Sequence, residues 1–330
     1  MRRKKKRKSR FRFRNRVKII LFLATLALVI LLAQPLWHVF QIRFAKDSFD
    51  MTKMADEMTW VEKKAPWLER IPLVEDSALW LSLNQGETAA DEDLLEHKDD
   101  KHRFWLLQLK LKNGQLTEAT QILPTISSAT TRSLAQGLID MVQGEYESAL
   151  NNLNAVSELK MTKEEKVSRR LAVSRCLLAQ GDEQGAESEW KKAKELAPAH
   201  PLVIEEEFDL ALVKAEWSEA EDLLLQMEQW PGNDDNLDLQ TKKGLLYLTL
   251  GQSAQWEDVL EKLNQSSKGK FYRTYLLGVQ KYQKGEWKAA QALLEEALKG
   301  ELSPAVSKDA NQALTQLNER LAAEKVLQKY

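Results

Sequence analysis

The sequence predicts an all-α chain, an α-solenoid of helix-turn-helix repeats preceded by one N-terminal transmembrane helix. Three observations predict it. Residues 19–40 contain no charged side chain. Small residues recur at 114, 144, 181, 215, 251 and 285, each between two apolar runs of helical period. No segment shows the strict apolar/polar alternation of a half-buried strand.

With 330 residues, 43% of them hydrophobic and 29% charged, the chain has ample material for a core. Its formal net charge of -1 conceals two unlike parts. Residues 1–18 carry twelve of the 48 basic residues and no acid: Arg2, Arg3, Lys4, Lys5, Lys6, Arg7, Lys8, Arg10, Arg12, Arg14, Arg16 and Lys18. The remainder therefore holds 36 basic against 49 acidic residues. The single cysteine, Cys176, excludes an intramolecular disulfide and a thiolate zinc site. It lies among Leu171, Leu177 and Leu178, which makes it a buried structural thiol rather than a nucleophile.

The first element, 1–18, is a basic cytoplasmic tail that grips anionic lipid, each cation near the surface contributing about 1 kcal/mol. Phe11 and Phe13 interleave with arginines, a pattern also used for nucleic acid, but a tail beside a membrane helix favours lipid. The second element, 19–40, spans about 33 Å as a helix, enough for the hydrocarbon core. Trp37 and Phe40 stand at its far end, where aromatic rings favour the interface. Basic residues massed on the near side place the N-terminus in the cytoplasm and the rest outside it. A cleavable signal peptide shares this pattern, but Leu31 is a poor partner for Ala33 at a cleavage site. The expectation is an uncleaved anchor.

Residues 41–100 form a juxtamembrane helical segment. Phe49, Met54, Met58, Val61 and Trp67 recur at helical spacing, and SALWLSLNQG reads as the end of a first helix with its turn at Gly86. A degenerate extra repeat fits there.

About six repeats follow over 101–303. GEWKAAQALLEEAL, from 285, parallels GDEQGAESEWKKAKELAP from 181, and both parallel segments starting at 114, 144, 215 and 251. The separations are 30, 37, 34, 36 and 34. This pattern resembles the tetratricopeptide repeat, a pair of antiparallel helices of 34 residues. Leu277-Gly278, Gly285, Trp287, Ala290 and Ala297 match that family's pattern, as do Gly181, Ala186, Trp190, Ala193 and Pro198. Two departures are Ala215 where glycine is usual and Trp256 where alanine is usual. The last element, 304–330, reads as a capping helix with Ala313, Leu314, Leu317, Leu321 and Val326 along one face.

The resemblance implies a groove for protein or peptide segments, lined by the fifth and ninth positions of each unit. The fifth positions are Phe104, Leu134, Leu171, Glu205, Thr241 and Tyr275; the ninth are Gln108, Leu138, Arg175, Asp209, Leu245 and Val279. No unit carries the Lys and Asn with which some members clamp a terminal carboxylate. The groove reads as mixed, with a charged middle of Arg175, Glu205 and Asp209, flanked by Gln108, and an aromatic end of Tyr272, Tyr275 and Tyr282. The same apolar residues could equally pack against neighbouring helices.

Nothing points to catalysis: four histidines, no nucleotide or hydrolase motif, no implied cofactor. His97 and His102 lie in EHKDDKH, which reads as a solvated loop that holds no metal. The run Glu205-Glu206-Glu207 reads as a partly solvated helix face, and most of the ten tryptophans as core. The expected function is a membrane-anchored scaffold or adaptor for an envelope assembly or secretion complex. The alternative is a membrane sensor whose basic tail recruits cytoplasmic nucleic acid or anionic lipid.

Overall fold

Left-handed residues punctuate the helices of the computed structural model, which describes residues 22, 25, 33–85, 94–233 and 236–327. The chain divides into two compact units after Leu81.

In the first unit, helix α1 covers residues 33–48 and helix α2 covers Met51–Lys64. Phe49, at φ 60°, turns the chain between them, and the Asp50 N–H reaches back to the Ala45 carbonyl at 2.8 Å. Asp50 then caps α2 by accepting from the Lys53 N–H at 2.9 Å. Ile42, Ala45, Met54, Met58 and Val61 are buried. A short 3₁₀ segment, Pro66–Arg70, leads to α3, Pro72–Gln85. Phe49 thus works as a turn residue rather than on a helix face, and Trp67, in the 3₁₀ segment, is exposed. Gly86 lies outside the described residues.

So do the tail 1–18 and most of the expected span 19–40; among the described residues no helix is long and apolar enough to cross a membrane. His38, expected within the span, stands 2.5 Å from the Glu57 carboxylate and stacks on Trp60 with centroids 3.6 Å apart. A carboxylate is too costly at the centre of a bilayer, so this contact argues against residue 38 lying inside an apolar span. The other side of α1 leaves Leu36, Trp37, Phe40 and Phe44 more than half exposed.

The second unit contains six helix pairs. They are α4 (Asp100–Lys112) with α5 (Leu116–Ile122), α6 (Ala129–Gln143) with α7 (Tyr146–Asn154), and α8 (Lys163–Ala179) with α9 (Glu183–Leu196). Then come α10 (Pro201–Val213) with α11 (Trp217–Glu228), α12 (Leu237–Leu250) with α13 (Ser253–Asn264), and α14 (Gly269–Gln283) with α15 (Trp287–Ala297). A longer helix, α16 (Pro304–Leu327), follows them.

Each pair turns in the same way. Gly114, Gly144, Gly181, Ala215, Gly251 and Gly285 all have φ between 58° and 84°. The next residue's N–H bonds a carbonyl five residues back, as Glu145 to Asp140 at 2.9 Å and Glu286 to Lys281 at 3.0 Å. This bond satisfies carbonyls that the helix end would otherwise orphan. Five residues after each turn, Ala119, Ala149, Ala186, Ala220, Trp256 and Ala290 are all buried. Opposite them Gly137 and Gly278 let the first helix approach: a β-carbon on Gly278 would sit 3.0 Å from Leu294. In the third pair Ser174 fills that place, and its hydroxyl donates to the Ala186 carbonyl at 2.8 Å.

Helix α16 closes the core with Val306, Ala310 and Leu317, which join Leu276, Ala290, Leu294 and Ala297, and Leu321 is buried further along it. Ala313 and Leu314 are half-buried on its flank.

Candidate functional site

Three ninth positions of the first helices, Gln108, Arg175 and Asp209, carry polar side chains that bond to a later pair. Gln108 donates to the Ser168 hydroxyl at 3.0 Å, from the first pair to the third. Arg175 holds Glu206 at 2.6 Å. Lys242 donates to exposed Asp209 at 2.6 Å while its ammonium lies 5.2 Å from the Phe208 ring centre. Glu205 remains half-buried between these pairs.

The acidic run is not a solvated face. Glu206 and Glu207 are buried, one paired with Arg175 and the other with Lys194, because the turn of α10 aims them at α8 and α9. A buried carboxylate persists where a cation compensates its lost hydration.

The array also curls far enough to bring its ends together. A β-carbon on Gly114, in the first turn, would fall 2.6 Å from the ring of Pro304 at the start of α16. Beside this contact lies Asp238 of α12, whose Oδ1 is buried without a hydrogen-bond partner among the described residues. Burial raises the Asp238 pKa; the Ser303 hydroxyl and the ammonium groups of Lys112 and Lys242 pull it back, and Glu205 pushes with burial. Asp309, on α16, is likewise raised by burial, with Asp209 adding to the effect and Lys308 and Lys242 opposing it. The inner face thus gathers Glu205, Asp209, Asp238 and Asp309 with Lys112, Lys242 and Lys308, a mixed charged lining with one more acid than base.

The aromatic residues divide. Tyr272 and Tyr275 are buried in the core with Val306 and Ala310, and the Tyr272 hydroxyl accepts the Ser303 N–H at 2.8 Å. Burial, then Asp309, raises the Tyr275 pKa. Tyr282 stays partly exposed; its hydroxyl donates to Gln316 at 3.2 Å and its ring meets Trp287 edge-on at 5.5 Å. Of the expected lining, the charged middle comes together, since Arg175 bonds Glu206 and also feels the carboxylates of Glu205 and Asp209, while Gln108 engages a neighbouring helix.

Sequence reasoning passed over Asp238, Lys242 and Asp309. Asp238 stands three residues before the fifth position of its unit and Lys242 one residue after it, so reading more positions of the register would have found both. Asp309 belongs to the capping helix, outside any repeat.

Cys176 is fully buried, and burial, with Asp140 second, pushes its pKa up to about 11. Such a thiol is unreactive at neutral pH.

No family model and no curated protein matches the chain. Among solved structures it is similar to a tetratricopeptide repeat protein from Parabacteroides merdae, at 18% identity over 84% of this chain and 97% of that one, with a TM-score of 0.44. It is also similar to a chain of the APC/C hetero-tetramer Cut9-Hcn1, at 17% identity over 83% of this chain and 53% of that one, with a TM-score of 0.49. At such identities the likeness concerns fold alone. The chain is an all-α helical-repeat solenoid. Its own six turns and buried small residues establish that.

Proposed function

We propose that this chain is a single-pass membrane-anchored scaffold that holds a basic protein segment against the inner face of its solenoid, around Asp209 and Asp238. Its N-terminus lies in the cytoplasm, its repeats lie outside, and the complex it serves belongs to envelope assembly or secretion. The observation that carries the binding reading is Asp238, a carboxylate with one oxygen buried and unbonded, among three further acids. An unsatisfied buried acceptor costs about 1–3 kcal/mol, and a partner's ammonium or guanidinium would recover it once the side chains covering that oxygen move aside. The anchor reading is supported by the uncharged stretch 19–40, the basic tail, and the apolar stripe Leu36, Trp37, Phe40 and Phe44 on α1.

Proximity labelling from a tag after Tyr330, in wild type and in Asp209→Lys, tests the binding. Partners seen with wild type should fall away in the variant. An identical partner set in both would sink the inner-face reading. A reporter active only outside the cytoplasm, fused after Tyr330, should be active; silence there, with activity from a cytoplasm-only reporter, would overturn the orientation.

A further inference from the structure

EHKDDKH is only in part the solvated loop expected: Glu96, Lys98 and Asp99 are exposed, but the segment runs into α4. His102 is only 5% exposed, and its ring meets Trp105 edge-on at 5.2 Å. Asp99 caps α4: Oδ1 accepts the His102 N–H at 3.2 Å, and Oδ2 lies 2.5 Å from His102 Nδ1. His97 stacks on His102 with centroids 4.0 Å apart. One ligand atom from each of the three residues falls within 4.8 Å of the others.

From this geometry we propose that His97, Asp99 and His102 bind a divalent transition-metal ion of the zinc class. Two imidazole nitrogens and one carboxylate oxygen form a donor set suited to Zn²⁺, Co²⁺, Ni²⁺ or Cu²⁺ rather than to Mg²⁺ or Ca²⁺. Tetrahedral coordination with bonds of about 2.0–2.1 Å sets ligands roughly 3.4 Å apart. Asp99 Oδ2 and His102 Nδ1, 2.5 Å apart as a hydrogen-bonded pair, would exchange their shared proton for the ion and part by about 1 Å as the carboxylate turns, while His97, which precedes the helix, rotates off the His102 ring to aim a nitrogen at the same point. Asp99 is held by its cap and His102 by its burial. Asp100, next along, accepts the N–H groups of Ser127 and Ser128 at 2.7 Å each, which ties this end of α4 to the start of the second pair. Three protein ligands leave a fourth position for water or a partner's side chain. The ion would fasten the stretch before residue 99 to the first turn of the array.

The test titrates the full chain, purified metal-free in detergent, with Zn²⁺ by calorimetry and with Co²⁺ by visible absorption. The expected result is one equivalent bound with micromolar or tighter affinity and a Co²⁺ spectrum of low coordination number. His97→Ala and Asp99→Asn should each weaken Zn²⁺ binding by at least about tenfold, while far-ultraviolet circular dichroism without metal stays unchanged. Should His97→Ala fail to fold, Asp99→Asn, which keeps an oxygen for the helix cap, decides the matter alone. Wild type that shows no saturable binding below millimolar Zn²⁺, or a folded variant of either kind with undiminished affinity, would overturn the site.

Discussion

Gly114 and Pro304 lie in contact although 190 positions separate them, so near that a β-carbon on Gly114 would come within 2.6 Å of the proline ring. Gly144, at the equivalent turn of the next pair, has nothing within 4 Å of that position. The two glycines share a left-handed backbone and differ only in what they face.

That difference can be measured. Gly144→Ala should cost about 1–2 kcal/mol, the strain of a left-handed alanine. Gly114→Ala should cost that plus about 1–3 kcal/mol for overlap with Pro304, and hydrogen exchange should show looser protection at the start of α16. Equal urea midpoints for the two variants would refute the contact.

Ala215 bears the same strain in the native chain, at φ 58°. Ala215→Gly should therefore stabilise the array, by about 0.5–1 kcal/mol once the glycine's greater unfolded freedom is subtracted. The expected sign is a raised urea midpoint with an unchanged slope.

Ala290 is fully buried where α15 crosses α14, and Ala290→Leu should cost roughly 1–3 kcal/mol. Trp256 occupies the equivalent place in α13, and Trp256→Ala should open a cavity costing roughly 3–5 kcal/mol. Repeat stability is nearly a sum over units and neighbours. Exchange protection in α7 and α8 should survive both changes; uniform loss across all pairs would contradict a unit-by-unit array.

His200 caps α10, its Nδ1 accepting the Leu202 N–H at 3.2 Å, and burial, with Lys163 second, pushes its pKa down to about 3. The unfolded chain takes up this proton near pH 6.5 and the folded chain does not. Stability from the neutral ring is therefore complete above about pH 6.5 and lost as pH falls toward 3, by roughly 1 kcal/mol per pH unit. Asp238 and Asp309 act in the opposite sense, since their raised pKa values let the folded state bind protons first. Comparing thermal unfolding of His200→Asn and wild type between pH 7.5 and 4.5 separates the two. The variant retains a capping oxygen and should lack the histidine's share of the acid loss.

The helical pairs were legible because each turn demands a small or left-handed residue and each crossing demands a small one, so glycine and alanine mark the register. Ala215 kept that register without glycine. Phe49 hid the same turn, since a bulky aromatic is the wrong sign for a left-handed position and composition gives no hint of it. The proximity of His97, Asp99 and His102 was hidden for a related reason. EHKDDKH was read by its polarity, whereas the cap at Asp99 starts a helix that buries His102 and brings His97 back over it. The inner face was partly read, in Glu205 and Asp209. Its remaining members come from a neighbouring register position and from α16, which only the curl of the chain brings near.

The contact between Gly114 and Pro304 bears on how this chain can evolve. An open row of helix pairs tolerates duplication or loss of one pair, because every other junction is left as it was. Here a seventh pair would carry Pro304 away from Gly114, and a deletion would drive them into each other. A change in the number of pairs would therefore break this closure, whereas substitution within a pair leaves it in place.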